Sequence, residues 1–336
     1  MSLGVLAVGF GSSGLNLKIK IILGGITMQV SFHNLVSKAF IAAALFFGLS
    51  SFAAADAFKL GAASCGGECH EAELEVWEGS PHNASFEKFD DPSDELTEKV
   101  DAILAAVGEE DMTESAVCTN CHFTMIQETA DEEPFADSGP SCESCHGAGS
   151  EFRDIHSDQD VDYDTRMANA EAAGMIRPNM KFEIAQNCND CHAMARPEVD
   201  GATIAKMIDA GHPIKTTFEL VQYSQGSVRH RFYPPDTSVN AEMTQQELAA
   251  LYVEGQVAQL LAAHKGLKKN ANDKYKAAMQ TRLDNAKAGL AGVDGSAAFI
   301  GSPTLDSAKA LVDSIQGKDM TGAVGDKLPD PSTYKE

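Results

Sequence analysis

The 336-residue chain has little with which to build an ordinary apolar interior: aromatic residues make up 7%, and there is one tryptophan, Trp77. A chain of this size with so few large apolar side chains is expected to fill part of its core with something other than protein. Basic residues are scarce too, with 26 Lys and Arg against 49 Asp and Glu. The resulting formal charge of −23 excludes charge-driven binding to nucleic acid or to an anionic membrane, and favours a basic partner. Phosphate-binding loops, dinucleotide fingerprints and Ser/His/Asp combinations are missing, which removes the common nucleotide-dependent and acyl-transfer chemistries.

The apolar run Ala39 to Leu49 is too short to cross a bilayer. Lys38 precedes it, and small residues ending in Ala53-Ala54-Ala55 follow it, the order of a secretory signal peptide cleaved before Asp56. No cysteine stands at that point, which excludes lipid anchoring there. A signal beginning at Met28 has ordinary length, so residues 1–27 read as a start assigned too early. The expected product is periplasmic or extracellular, with no membrane span.

No cysteine is left over. All eight fall in pairs that run directly into a histidine: Cys65 and Cys69 before His70, Cys118 and Cys121 before His122, Cys142 and Cys145 before His146, Cys188 and Cys191 before His192. An exported chain with eight cysteines would ordinarily be a disulfide scaffold, but a disulfide across so short a gap is strained and needs no histidine. Zinc assembles four ligands from paired half-sites and does not require a histidine after each second cysteine. Attachment of haem c requires both features: two thiols add to the two vinyl groups, and the next residue ligates the iron. Four haems are expected, and the longer Cys65-Gly-Gly-Glu-Cys69 loop is read as spanning the same two vinyl groups. The macrocycles then supply the apolar core that side chains do not. The expected fold is mainly α, helices and loops wrapped round a four-haem cluster, with little or no sheet.

Each iron has a second axial position. His82, His156, His212 and His230 are the candidates for it, with His264 a fifth histidine on an apolar helical stripe with Val253, Val257 and Leu260, where packing is the better reading. Bis-His iron follows, and with it lower potentials than His/Met ligation. Arg229 and Arg231, flanking His230, are placed to meet haem propionates.

The four motifs in order, together with Gly139-Pro140-Ser141 before the third, Trp77 and His82-Asn83-Ala84 after the first, and Phe152-Arg153-Asp154-Ile155-His156 after the third, resemble the tetrahaem cytochrome c-554 family. The resemblance covers residues 56 to about 192. It implies periplasmic electron transfer and a haem stack pairing site one with three and site two with four. By that likeness His156 serves the first haem and His82 the third. Beyond residue 192, Gly211-His212-Pro213 and the segment Phe218 to His230 resemble larger multihaem cytochromes, which implies that His212 and His230 serve the second and fourth haems. The family's second haem lacks a sixth ligand, whereas this sequence offers enough histidines for all four.

The domain reading is an extension and signal over 1–55, a tetrahaem domain over 56–236, a helical region over 237–317 and a flexible tail over 318–336. Helices are expected at 71–79, 94–107 (solvated), 243–266, 272–288 and 303–316. Three function classes fit: an electron carrier between redox protein partners, favoured over the others; a redox enzyme with one open haem acting on small nitrogen oxides; and a subunit that self-associates into a filament.

Overall fold

The computed structural model describes residues 57–336 and, before them, the backbone of residues 17–23 and 26–32. The chain parts into two compact units between Ala55 and Asp56. In the first, β1 (Leu17–Leu23) and β2 (Ile26–Phe32) form an antiparallel pair running from Leu17 opposite Phe32 to Leu23 opposite Ile26. The expected signal run and cleavage site lie outside the described residues. No helix among the described residues is long and apolar enough to cross a membrane.

The second unit is mainly α. Its first half holds short helices: α1 (Ala62–Gly66), α2 (Glu71–Glu78), α3 (Pro81–Asp90), α4 (Asp94–Val107), α5 (Ala116–His122), α6 (Cys142–His146), α7 (Arg153–Ser157) and α8 (Tyr163–Ala172). Between α5 and α6 sits an antiparallel pair, β3 (Thr124–Ile126) and β4 (Phe135–Ser138). The second half holds α9 (Lys181–His192), α10 (Gly201–Asp209), α11 (Leu220–Ser224), α12 (Gln245–Lys268), α13 (Asp273–Gly289), α14 (Ser296–Gly301), α15 (Leu305–Ile315) and α16 (Thr321–Val324).

The halves are packed differently. Helices α2, α3 and α7 bury none of their side chains completely. By contrast α12 is buried on every side: Val253, Val257 and Leu260 have no exposure, and Glu254, Gln256 and Gln259 are buried with them. Thr244 and Glu247 cap it reciprocally, each side chain satisfying a backbone N–H of the other. Around α12 lies a core of protein side chains, with Phe182 from α9, Leu220 and Val221 from α11, Leu283 and Ala286 from α13, and Leu311 and Val312 from α15. The low aromatic count therefore does not mean that the chain lacks a side-chain core. That core lies in the second half and is built from aliphatic residues and alanines.

Two expectations are corrected here. Helix α4 is not wholly solvated, since Ile103 and Leu104 are buried and Ile103 joins a cluster with Ile204, Met207 and Tyr275. The stretch after residue 317 is not a flexible tail. Met320 and Val324 are buried in the main core, Lys335 donates its N–H to the Gln222 carbonyl at 3.0 Å, and its own carbonyl accepts from Ser227 at 3.0 Å. A composition rich in Gly, Pro and Asp hid those few apolar anchors.

Burial pushes Glu254 up to about 7 from the ordinary 4.5, with Lys181 and a hydrogen bond from Gln316 opposing the shift. The folded chain thus holds a proton that the unfolded chain releases. The stabilisation is complete below pH 4.5 and is lost as pH rises through 7. Glu254→Gln is expected to be neutral near pH 5 and to raise stability by about 1 to 3 kcal/mol at pH 8, read from denaturant midpoints at both pH values.

Candidate haem sites

In a helix, residues i, i+3 and i+4 share one face. A Cys-x-x-Cys-His run that folds as a helix therefore presents both thiols and the imidazole together. Three of the motifs do so, on α5, α6 and the C-terminal end of α9. The first has one residue more and solves the problem with a turn: α1 ends at Gly66, Gly67 N–H donates to the Ala63 carbonyl, and His70 N–H donates to the Cys65 carbonyl. All eight cysteines are free.

The candidate distal histidines arrive by separate routes. Ser80 caps α3 by accepting from Asn83 N–H at 3.4 Å, and Pro81 opens the helix, which sets His82 in its first turn. Gly139, before the third motif, meets the His82 carbonyl so closely that a Cβ there would collide with it. His156 stands on α7. His212 follows Gly211, whose φ of 107° is open to glycine and strained for other residues. His230 lies in the loop segment between α11 and α12.

Each of these four rings faces one motif histidine. Ring centroids are 6.4 Å apart for His70 and His156, 6.2 Å for His82 and His192, 6.1 Å for His122 and His212, and 6.1 Å for His146 and His230. Two imidazoles on opposite sides of one metal ion, each about 2 Å from it through nitrogen, hold their centroids about 6 Å apart. The first pair is nearly parallel at 11° and the His146 pair nearly perpendicular at 82°.

In four of the eight rings Nδ1 meets a backbone carbonyl. Nδ1 lies 2.7 Å from the Ile176 carbonyl in His146, 2.9 Å from Pro213 in His212, 2.7 Å from Val228 in His230 and 3.3 Å from Phe152 in His156. A carbonyl there takes the Nδ1 proton and leaves Nε2 with its lone pair, the tautomer that a metal ligand needs. Burial lowers His82, His146 and His212 and brings His122 and His192 down to about 4, helped by His212 beside the former and by His82, Lys215 and Arg282 beside the latter. Those rings are neutral at physiological pH, as ligation requires.

The pairing differs from the sequence expectation at two histidines, His82, which the family likeness gives to the third site, and His230, which the likeness leaves to the second or the fourth. His82 faces His192 of the fourth motif instead of His146 of the third, and His230 takes the place opposite His146. His212 faces the second motif, one of the two alternatives left by the sequence. His264 is half-buried on α12, lowered by burial and by Lys268 and Lys287. Arg231 and Arg229 are engaged by carboxylates, at 2.7 Å to Glu247 and 3.5 Å to Glu242.

The motifs adjoin in a definite order. Cys65 lies beside Cys142, Cys145 beside Cys188, and Cys191 beside Cys121, each pair within side-chain hydrogen-bonding reach. The row runs one, three, four, two. Among the described residues no group of three or more His, Cys, Asp or Glu could hold a metal ion directly. Paired imidazoles suit an iron whose four equatorial positions a porphyrin supplies, and they do not suit structural zinc.

Sequence reasoning assigned no contacts to several residues around these sites. Glu143, inside the third motif, is buried and accepts from Leu60 N–H at 2.9 and 3.0 Å, Gly61 N–H at 2.8 Å and Gly149 N–H at 2.6 Å. Phe218 stacks on His192 at 4.9 Å. Trp77 Nε1 donates to the Pro140 carbonyl at 3.0 Å, tying α2 to the loop before the third motif. Arg282 is fully buried beside His192. Its position on the inward stripe of α13, with Tyr275, Met279 and Ala286, was the available signal.

Residues 64–147 match the family described as Cytochrome c554 and c-prime. Over 157 residues the chain is 27% identical to cytochrome c-554 of Nitrosomonas europaea, covering 45% of this chain and 65% of that protein, just under two thirds of the relative's length. No solved structure matches the chain.

Proposed function

We propose, from the premise that the chain belongs with the cytochrome c-554 family over residues 64–147, that it is an exported c-type cytochrome which holds four haems covalently and transfers electrons between redox protein partners. The four imidazole pairs at 6.1 to 6.4 Å carry this reading. When bound, haem supplies one-electron exchange between ferric and ferrous iron. Cys65 and Cys69, Cys118 and Cys121, Cys142 and Cys145, and Cys188 and Cys191 attach it. The irons would be held by His70 with His156, His122 with His212, His146 with His230, and His192 with His82.

Closing both axial positions favours a carrier over an enzyme, because a small substrate such as a nitrogen oxide needs an open one. The motif row one, three, four, two sets the attachment sites side by side, as a relay between two docking points requires. The acidic surface, −23 overall, suits partners with a basic docking face. Export rests on the order of Lys38, the apolar run Ala39 to Leu49 and the small residues ending in Ala53-Ala54-Ala55.

Intact mass of the chain matured in a haem-attaching host tests the reading. The expected mass exceeds the polypeptide by four haems, and Cys65→Ala with Cys69→Ala lowers the count to three. A wild-type count of three would remove the first site, and a count of zero would overturn the assignment.

A further inference from the structure

We propose that Arg282 is the positioning residue of the fourth site: it locks the main chain of that motif and sets a buried positive charge beside His192 that raises the site's reduction potential. The inference rests on the four-haem reading above.

Arg282 has no exposed surface. Its Nη1 donates to the His192 carbonyl at 3.1 Å and the Lys215 carbonyl at 3.3 Å, and Nη2 donates to Asn189 Oδ1 at 2.8 Å. Asn189 and His192 both belong to the Cys188 to His192 motif, so one guanidinium holds the motif at two points. Phe218, stacked on the His192 ring, lies 5.6 Å under the guanidinium carbon. Among the described residues Arg282 forms no ion pair with a carboxylate, and its Nε has no hydrogen-bond partner. A buried cation without a counter-ion is expensive. Carbonyl groups alone could have been served by a neutral side chain, so retention of a charge here calls for an electrostatic role.

The surroundings agree. The groups that face this motif are mostly cationic in an acidic protein: Lys215 and Arg282 lie near His192, and Arg196 reaches Cys191 Sγ at 3.6 Å. Lys59 lies near Cys191 and Cys145. The opposing carboxylate is Asp190, inside the motif, which already faces Lys265, Arg196 and Lys269, with Glu198 adding to its side; Glu143 stands near Lys59. With haem bound at His192, reduction would add one electron, donated by a neighbouring site or a protein partner, and would lower the positive charge there by one. A fixed cation close by, in a medium of low dielectric, favours that reduced form. Arg282 and its neighbours therefore make the fourth site the one in the row where an electron is held more firmly.

The test is spectropotentiometry of the four-haem protein, its haem count first verified by mass. Arg282→Gln removes the charge and Arg282→Lys keeps it. Asn189→Asp leaves an acceptor for Nη2 while supplying the missing counter-ion, and it carries the test if the glutamine variant does not mature. Expected for Arg282→Gln and Asn189→Asp is a fall in one of four midpoints corresponding to a tenfold or larger change in that site's oxidised-to-reduced ratio, 59 mV for one electron, with Arg282→Lys within twofold of wild type. The component that moves should be the one that turns high-spin in His82→Ala. Equal shifts for lysine and glutamine, or a shift below twofold for both charge-removing variants, would overturn the proposal. Fewer than four haems in the wild-type protein would instead overturn the function from which it starts.

Discussion

Replacing His82, His156, His212 or His230 by alanine, one at a time, is expected to convert one quarter of the low-spin haem signal to high-spin and to create one binding position per chain for nitric oxide or carbon monoxide. Each substitution removes one side of a pair now 6.1 to 6.4 Å apart, and a motif histidine alone leaves the iron open on the other face. His264→Ala should leave both spectra unchanged, since that ring stands on α12 with Lys268 and Lys287 as its charged neighbours. The pairing itself is open to the same measurement. If His82 serves the fourth site, then in a chain lacking Cys188 and Cys191 the His82→Ala change adds no further high-spin signal, whereas in a chain lacking Cys142 and Cys145 it does. The reverse pattern would restore the pairing implied by family likeness, with His82 opposite His146. A wild-type protein that already binds nitric oxide would favour the enzyme class, and a high-spin component that vanishes on self-association would favour the filament.

What the sequence disclosed follows from how local each feature is. A Cys-x-x-Cys-His run carries its chemistry within five residues, so the four candidate attachment motifs could be read without knowledge of the fold. The capping box Thr244-x-x-Glu247 announced α12, and Gly211-His212-Pro213 announced a histidine on a backbone bend. Which distal ring faces which motif histidine was not legible, because His82 and His192 are brought together by tertiary packing over more than a hundred residues. Family likeness supplied an answer for His82 that the geometry does not repeat. The tail was misjudged for a related reason. Met320 and Val324 stand four apart, one helical step, but a single pair with Tyr334 ten residues further on is too little to show a stripe, and their packing depends on a surface made by α11 and α12. Arg282 shows the converse: a charged residue in an inward position is visible in the pattern, but its meaning appears only when His192 and Asn189 stand beside it.

Glu143→Gln is expected to destabilise the N-terminal half of the second unit by about 2 to 4 kcal/mol, and Glu143→Ala by at least as much, since a charged acceptor contributes about 1.5 to 3 kcal/mol per hydrogen bond and the orphaned donors add their own penalty. The carboxylate is buried, and three backbone donors converge on it from two separate segments, Leu60 and Gly61 on one side and Gly149 on the other. It thereby fastens the strand of chain leading into the first motif to the body of the third, where Cys65 and Cys142 already lie side by side. Glutamine has nearly the same shape, yet its amide nitrogen brings two donors into a site that needs only acceptors. One of the N–H groups must then face another donor with no solvent to relieve it. The effect should be local as well as large. Hydrogen exchange at Leu60, Gly61 and Gly149 should quicken before exchange in α12 does, because the aliphatic core around α12 has its own contacts and does not depend on this clasp. The His70 and His156 rings, carried by the segments that Glu143 joins, should lose order first, which would appear as heterogeneity in one low-spin signal of four. A glutamine variant within 0.5 kcal/mol of wild type, with unchanged exchange at those three amides, would show that the carboxylate is not what holds the first motif against the third.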